Sequence, residues 1–132
     1  MQVGSIPQRN LPFVCYLIQT GDGANILVDT GLPDNITPPA GMPAPTLTKN
    51  VVEQLAMIGL HPSDISQVIC THFDGDHSGH HEAFTHAEFV VQRAHYENAR
   101  NNPRFAVNRS QWDQPSIRYC FLESDTMLRP QF

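Results

Sequence analysis

The sequence predicts an α+β domain, a mixed sheet with helices packed on one face, and three observations carry that reading. Two branched, apolar runs are joined by a glycine turn; an amphipathic helix leads into a third such run; two further strand-like runs alternate with helical stretches towards the carboxyl end. In residues 13–18 and 25–28, β-branched and aromatic side chains dominate, and Gly21-Asp22-Gly23 between them supplies the positive φ of a hairpin turn. The second run ends in Asp29-Thr30-Gly31, which puts a carboxylate where the backbone leaves the strand. Residues 32–46 carry prolines at 33, 38, 39, 43 and 45, which remove donors and disfavour helix before them. This segment is therefore a long loop and a candidate wall or lid of a site.

Residues 48–58 place Val51, Val52, Leu55 and Ile58 at helical spacing, with Thr48 or Asn50 as cap and Gly59 just past the end. His61-Pro62-Ser63-Asp64 then turns the chain into a strand over 67–71. A short helix is expected at 80–84, a strand at 88–91, a helix at 94–100 and a last strand at 117–122. Residues 101–115 are polar and poorly periodic, and 123–132 bring no closing element.

The chemistry concentrates behind the third strand. His72-Phe73-Asp74-Gly75-Asp76-His77 packs two imidazoles and two carboxylates into six positions. A strand end holds such groups rigidly while the loop beyond turns them inward, so His72, Asp74, Asp76 and His77 are candidate metal ligands. Repulsion between Asp74 and Asp76 also calls for a cation. His72 with Asp74 could hold one ion and Asp76 with His77 a second, and ions roughly 3.5–4 Å apart activate a shared water for hydrolysis. Asp76 is the candidate catalytic carboxylate. An EF-hand reading of residues 74–79 fails at the twelfth position, where Thr85 stands in place of a bidentate Glu. A plain polar turn is the blander alternative, and a structural zinc would favour cysteine, absent from the run. Asp29 is placed to hydrogen-bond a metal-bound histidine from the neighbouring strand. His80 lies within a helical turn of His77 and is a possible extra ligand, whereas His81, His86 and His95 are taken as structural. Trp112, Phe105 and Tyr119 suit core packing better than a pocket wall.

Composition narrows the class. At 132 residues, 40% hydrophobic, the chain has core enough for a single domain. A net charge of -5 with only eight Lys and Arg argues against a nucleic-acid footprint and for a small or neutral ligand. Residues 1–11 hold no apolar run suited to a signal peptide or membrane span, which leads to a soluble, cytoplasmic expectation. Cys15, Cys70 and Cys120 are odd in number and set in apolar stretches, as buried thiols are.

Ile26-Leu27-Val28-Asp29-Thr30-Gly31 and Thr71-His72-Phe73-Asp74-Gly75-Asp76-His77-Ser78-Gly79, separated by one amphipathic helix, together resemble the metallo-β-lactamase superfamily. Within it, residues 10–17, Ala83-Phe84, Val90-Val91-Gln92-Arg93 and Tyr96-Glu97-Asn98-Ala99 are similar to the N-acyl homoserine lactonase subfamily. The resemblance implies an αβ/βα sandwich, two Zn2+ ions and a bridging hydroxide that opens a lactone. It matches His72 to a ligand of the first metal, Asp76 and His77 to ligands of the second, and Asp29 to a supporting carboxylate. Asp74 stands where the pattern has His, which could shift preference towards Mn2+ or Fe2+. Gly75 and His80 depart from the pattern as well. The family's further ligands fall after Phe132, so residues 1–132 are expected to be a single, truncated domain, half of the sandwich. One apolar sheet face would then be open to self-association. The leading expectation is a metal-dependent hydrolase acting on lactones or esters with an incomplete site; the alternative is a degenerate, non-catalytic metal- or ligand-binding member.

Overall fold

The computed structural model describes residues 13–34, 40–41 and 49–123. These form a five-stranded mixed sheet of β1 (Tyr16–Gln19), β2 (Asn25–Val28), β3 (Gln67–Ile69), β4 (Glu88–Gln92) and β5 (Arg118–Leu122), with two α-helices, α1 (Val51–Met57) and α2 (Arg93–Asn101). The strands lie in chain order; β1 runs antiparallel to β2 and every later neighbour is parallel. Parallel neighbours need crossovers. The one between β2 and β3 includes α1, the one between β3 and β4 carries the His/Asp run, and the one between β4 and β5 carries α2.

The hairpin turns where expected, with Gly23 at φ 90° and its N–H donating to Thr20 O at 3.0 Å. Its first strand begins at Tyr16 and not at residue 13, for a local reason. Tyr16 pairs with Val28, the last residue of β2, and the next residue, Asp29, turns away at φ 62°. Residues 13–15 thus have no ladder partner on that strand.

Helix α1 starts on a reciprocal cap. The Asn50 side chain accepts from Glu53 N at 2.8 Å, and the Glu53 carboxylate accepts from Asn50 N at 3.1 Å. Gly59, at φ 80°, ends it, and Ile58 stays exposed. The other candidate cap, Thr48, lies outside the described residues, as do residues 1–12, most of the proline-rich loop, and 124–132.

Cross-strand register sorts the sheet into two faces. Leu27, Val68 and Phe89 are register partners and, with Val91, join Val51 and Leu55 of α1 and Ala99 of α2 in one buried cluster. Both helices therefore serve the same face. Ile26, Val28, Ile69, Val90 and Cys120 alternate onto the other. Trp112 is fully buried on Phe73, ring centroids 4.7 Å apart, and Tyr119 donates its hydroxyl to Trp112 O, so these aromatics are core. The three cysteines are free thiols, and burial raises Cys15 to about 11 and Cys70 further. Among the described residues no helix is long and apolar enough to cross a membrane.

Candidate metal centre

Strands β2 and β3 are parallel and end level, Val28 opposite Ile69, so Asp29 and Thr71 leave the sheet at the same edge. Ligand sites favour this carboxyl edge of parallel strands. Asp29 is the one described non-glycine residue with positive φ, a conformation that Asp tolerates better than most side chains. The turn aims a buried carboxylate sideways. Its Oδ1 accepts from Thr71 N at 2.9 Å; its Oδ2 accepts from Thr71 Oγ1 at 2.6 Å and from His77 Nδ1 at 2.8 Å. A carboxylate only accepts, so Nδ1 of His77 donates this bond, and in the corresponding neutral tautomer Nε2 is the ring's acceptor. That Nε2 stands 3.4 Å from Asp76 Oδ2.

Backbone contacts lock the loop to β2. Thr30 N donates to His77 O at 3.0 Å and Gly79 N to Gly31 O at 2.8 Å. A Cβ on Gly79 would collide with backbone atoms of Gly31, Leu32 and Pro33, so only glycine permits this approach.

His72 joins the group through its ring, which meets that of His77 edge-on with centroids 3.9 Å apart. The structure thus brings Asp29, His72, Asp76 and His77 together. Asp74 is turned elsewhere. Its Oδ2 is 4.0 Å from His72 Nε2, and both its oxygens accept from Arg104 Nη2, at 2.9 and 2.7 Å. The cation called for by the paired carboxylates is, at Asp74, a guanidinium. His80 is also directed away: its backbone N donates to Thr30 Oγ1, its Nε2 is 3.3 Å from Asp34 Oδ1, and its Nδ1 is 3.9 Å from Glu82 Oε1.

Behind this cluster His81 is fully buried between Thr30 Oγ1, 2.8 Å from Nδ1, and Cys70 Sγ, 3.6 Å from Nε2. Burial lowers its pKa from the usual 6.5 to about 3. The contributions of Thr71, Arg104, Asn108 and Gln111 were not foreseen from sequence. Thr71 had a signal, its place at the strand end opposite Asp29. Arg104, Asn108 and Gln111 lie in the aperiodic segment and had none.

Tested against a metal ion, the donor set fits in part. Asp76 and His77 offer an oxygen and a nitrogen on one side, and Asp29 orients the imidazole as supporting carboxylates do. Yet among the described residues no group of three or more His, Cys, Asp or Glu side chains is arranged to hold an ion. Beside the pair opens a cleft of about 520 Å³, bounded by Phe13, Val14, Tyr16 and Val28 and reaching Asp29, Thr71, Asp76 and His77.

Comparison with known proteins identifies relatives of the chain. The N-acyl homoserine lactonase of Bacillus thuringiensis is 32% identical over 132 residues, covering 92% of this chain and 51% of its own length. A lactonase of Rhizobium johnstonii is 29% identical over 134 residues, with the same coverage. An N-acyl homoserine lactone hydrolase, solved with N-hexanoyl-L-homoserine at its catalytic metal centre, superposes with a TM-score of 0.76 at 32% identity, over 96% of this chain and 54% of that one. The chain spans about half the length of these relatives. The family described as the metallo-beta-lactamase superfamily matches residues 11–130, and the chain belongs to it.

Proposed function

We propose that this chain is part of a metal-dependent hydrolase that opens lactones of the N-acyl homoserine type. The observation that carries the proposal is His77, held through Nδ1 by Asp29 with its Nε2 3.4 Å from the Asp76 carboxylate. That is half a coordination shell oriented in advance, which lowers the ordering cost of binding. A divalent cation, Zn2+ by kinship with Mn2+ or Fe2+ as alternatives, would supply an acidified water and a polarised carbonyl. His72, Asp76 and His77 are the residues to hold it. The apolar wall of Phe13, Val14, Tyr16 and Val28 suits a substrate with a hydrocarbon arm beside a reacting carbonyl. The names of the relatives support the substrate class.

A second reading, a non-catalytic metal- or ligand-binding member, is favoured by one observation: among the described residues no group of three or more His, Cys, Asp or Glu side chains is arranged as a catalytic site's usual three ligands are. One experiment separates them. The purified chain is loaded with zinc or manganese, bound metal is measured, and ring opening of N-hexanoyl-homoserine lactone is followed by proton release. We expect His77→Ala to weaken ion binding by at least about tenfold, as loss of a primary ligand should exceed the effect of losing a supporting one. Metal retained equally by His72→Ala and His77→Ala overturns the site. Bound metal without opening of lactones or simple esters, both in this chain and in a form extended to the length of its relatives, selects the second reading.

A further inference from the structure

We infer that the 72–77 loop holds one divalent ion and not two, because the Arg104 guanidinium already serves as the cation of Asp74; this rests on the metal-dependent reading above. Spacing is the first argument. Two donors sharing an ion at about 2.0–2.1 Å in tetrahedral geometry stand about 3.3–3.4 Å apart. Asp76 Oδ2 and His77 Nε2, at 3.4 Å, have that separation, whereas Asp74 Oδ2 and His72 Nε2, at 4.0 Å, do not.

The second argument is that the backbone carrying Arg104 is ordered beside the loop, although its side chain is 66% exposed. It lies in a 3-10 turn, Pro103–Phe105, whose start is capped by Asn102 accepting from Arg104 N at 3.0 Å. Its guanidinium carbon sits 5.4 Å from the Phe105 ring centroid. Around it the same segment grips the loop twice more. Asn108 Nδ2 donates to Phe73 O at 2.7 Å, and the Ser78 hydroxyl lies within reach of both Asp74 O and Gln111 Oε1, at 3.1 and 3.2 Å. Asp74 is thus the middle point of a three-point clamp on positions 73, 74 and 78.

Charge is the third argument. An ion between His72 and Asp74 would stand a few ångströms from the Arg104 guanidinium and share its carboxylate with it. Asp76 meets no such competition from the clamp, since its ion-pair contact is with His77, whose Nε2 is itself a donor. Arg104 is a positioning residue, which sets how many ions the loop accepts.

The test titrates Zn2+ alone into the full chain by calorimetry and counts zinc after gel filtration, for the parent chain, Asp74→Asn, Arg104→Gln and Arg104→Lys. One equivalent is expected for the parent, and Asp74→Asn should keep it. Arg104→Gln should tighten zinc binding on the order of tenfold or add a second equivalent, because a unit charge near a divalent ion at a solvated surface is removed. Arg104→Lys, which keeps the charge, should restore the parent value. A purely structural role would lower the melting temperature of Arg104→Gln and leave zinc affinity unmoved, which overturns the inference. Two equivalents in the parent chain, or loss of zinc in Asp74→Asn, overturns it while leaving the metal-dependent reading intact. Absence of zinc from all four forms overturns both.

Discussion

Asp29 and His81 show how one residue's surroundings decide its chemistry. Asp29 sits at φ 62° with its carboxylate taking three hydrogen bonds, one of which holds His77 through Nδ1. Its place at a strand end beside the His/Asp run was legible, because strand order alone puts the two ends at one edge. His81 was legible only by type. In the fold it is fully buried, and Thr30 and Cys70 satisfy both ring nitrogens in either tautomer of the neutral ring. Protonation would put an uncompensated charge in the core, which is why its pKa falls to about 3. The direction of the linkage follows. Above pH 6.5 folded and unfolded chains both carry a neutral ring, and its contribution to stability is fully present. As pH falls from 6.5 towards 3 the unfolded chain takes up a proton that the folded chain refuses, and stability drops by up to about 1.4 kcal/mol per pH unit. Urea midpoints at pH 7, 6 and 5 should therefore fall more steeply for the parent than for His81→Gln. Equal slopes in the two proteins would show that the buried ring is not the titrating group.

At the scale of elements, the site is a docking of two loops. The turn after β2 lies on residues 77–79, and Gly79 sets how closely they approach. Gly79→Ala should destabilise by about 1–3 kcal/mol, the usual cost of overpacking, because the added Cβ meets backbone and no side chain can swing aside. The same shift would pull Thr30 N from His77 O and disturb the histidine. Thermal melts and zinc titration should change together; a lower melting temperature with unaltered zinc affinity would uncouple the docking from the site. Elements with periodicity were readable: the hairpin, α1 and the later strands lie within a few residues of expectation, since branched runs and helical spacing are local signals. The short 3-10 turns Pro103–Phe105 and Arg109–Gln111 were not, because three residues carry no period. The residues that clamp Asp74 come from that stretch, so the groups around the His/Asp run were invisible while the run itself was plain.

For the whole molecule the two sheet faces are unequal. The helix-side face is closed by α1, α2 and Trp112 into one cluster. On the other, Ile26 and Val90 are buried, while Val28, Ile69 and Cys120 remain half-buried, and Tyr16 beyond them is 64% exposed. A partly wetted apolar strip of this kind gains free energy from any apolar surface laid on it, at about 25 cal/mol for each Å² removed from water. We therefore expect the purified chain to self-associate through this face at micromolar concentration. Sedimentation velocity should show species heavier than the monomer, and Ile69→Glu should shift them to monomer, since association would bury a charge without a partner. Cys120→Asp, on the register row that pairs Val90 with Cys120, offers an independent variant should Ile69→Glu perturb β3. Far-UV circular dichroism confirms that each variant remains folded. A parent chain that sediments as a monomer and binds no hydrophobic dye would mean that the strip is already covered within the chain, and both variants should then lose stability instead of changing size.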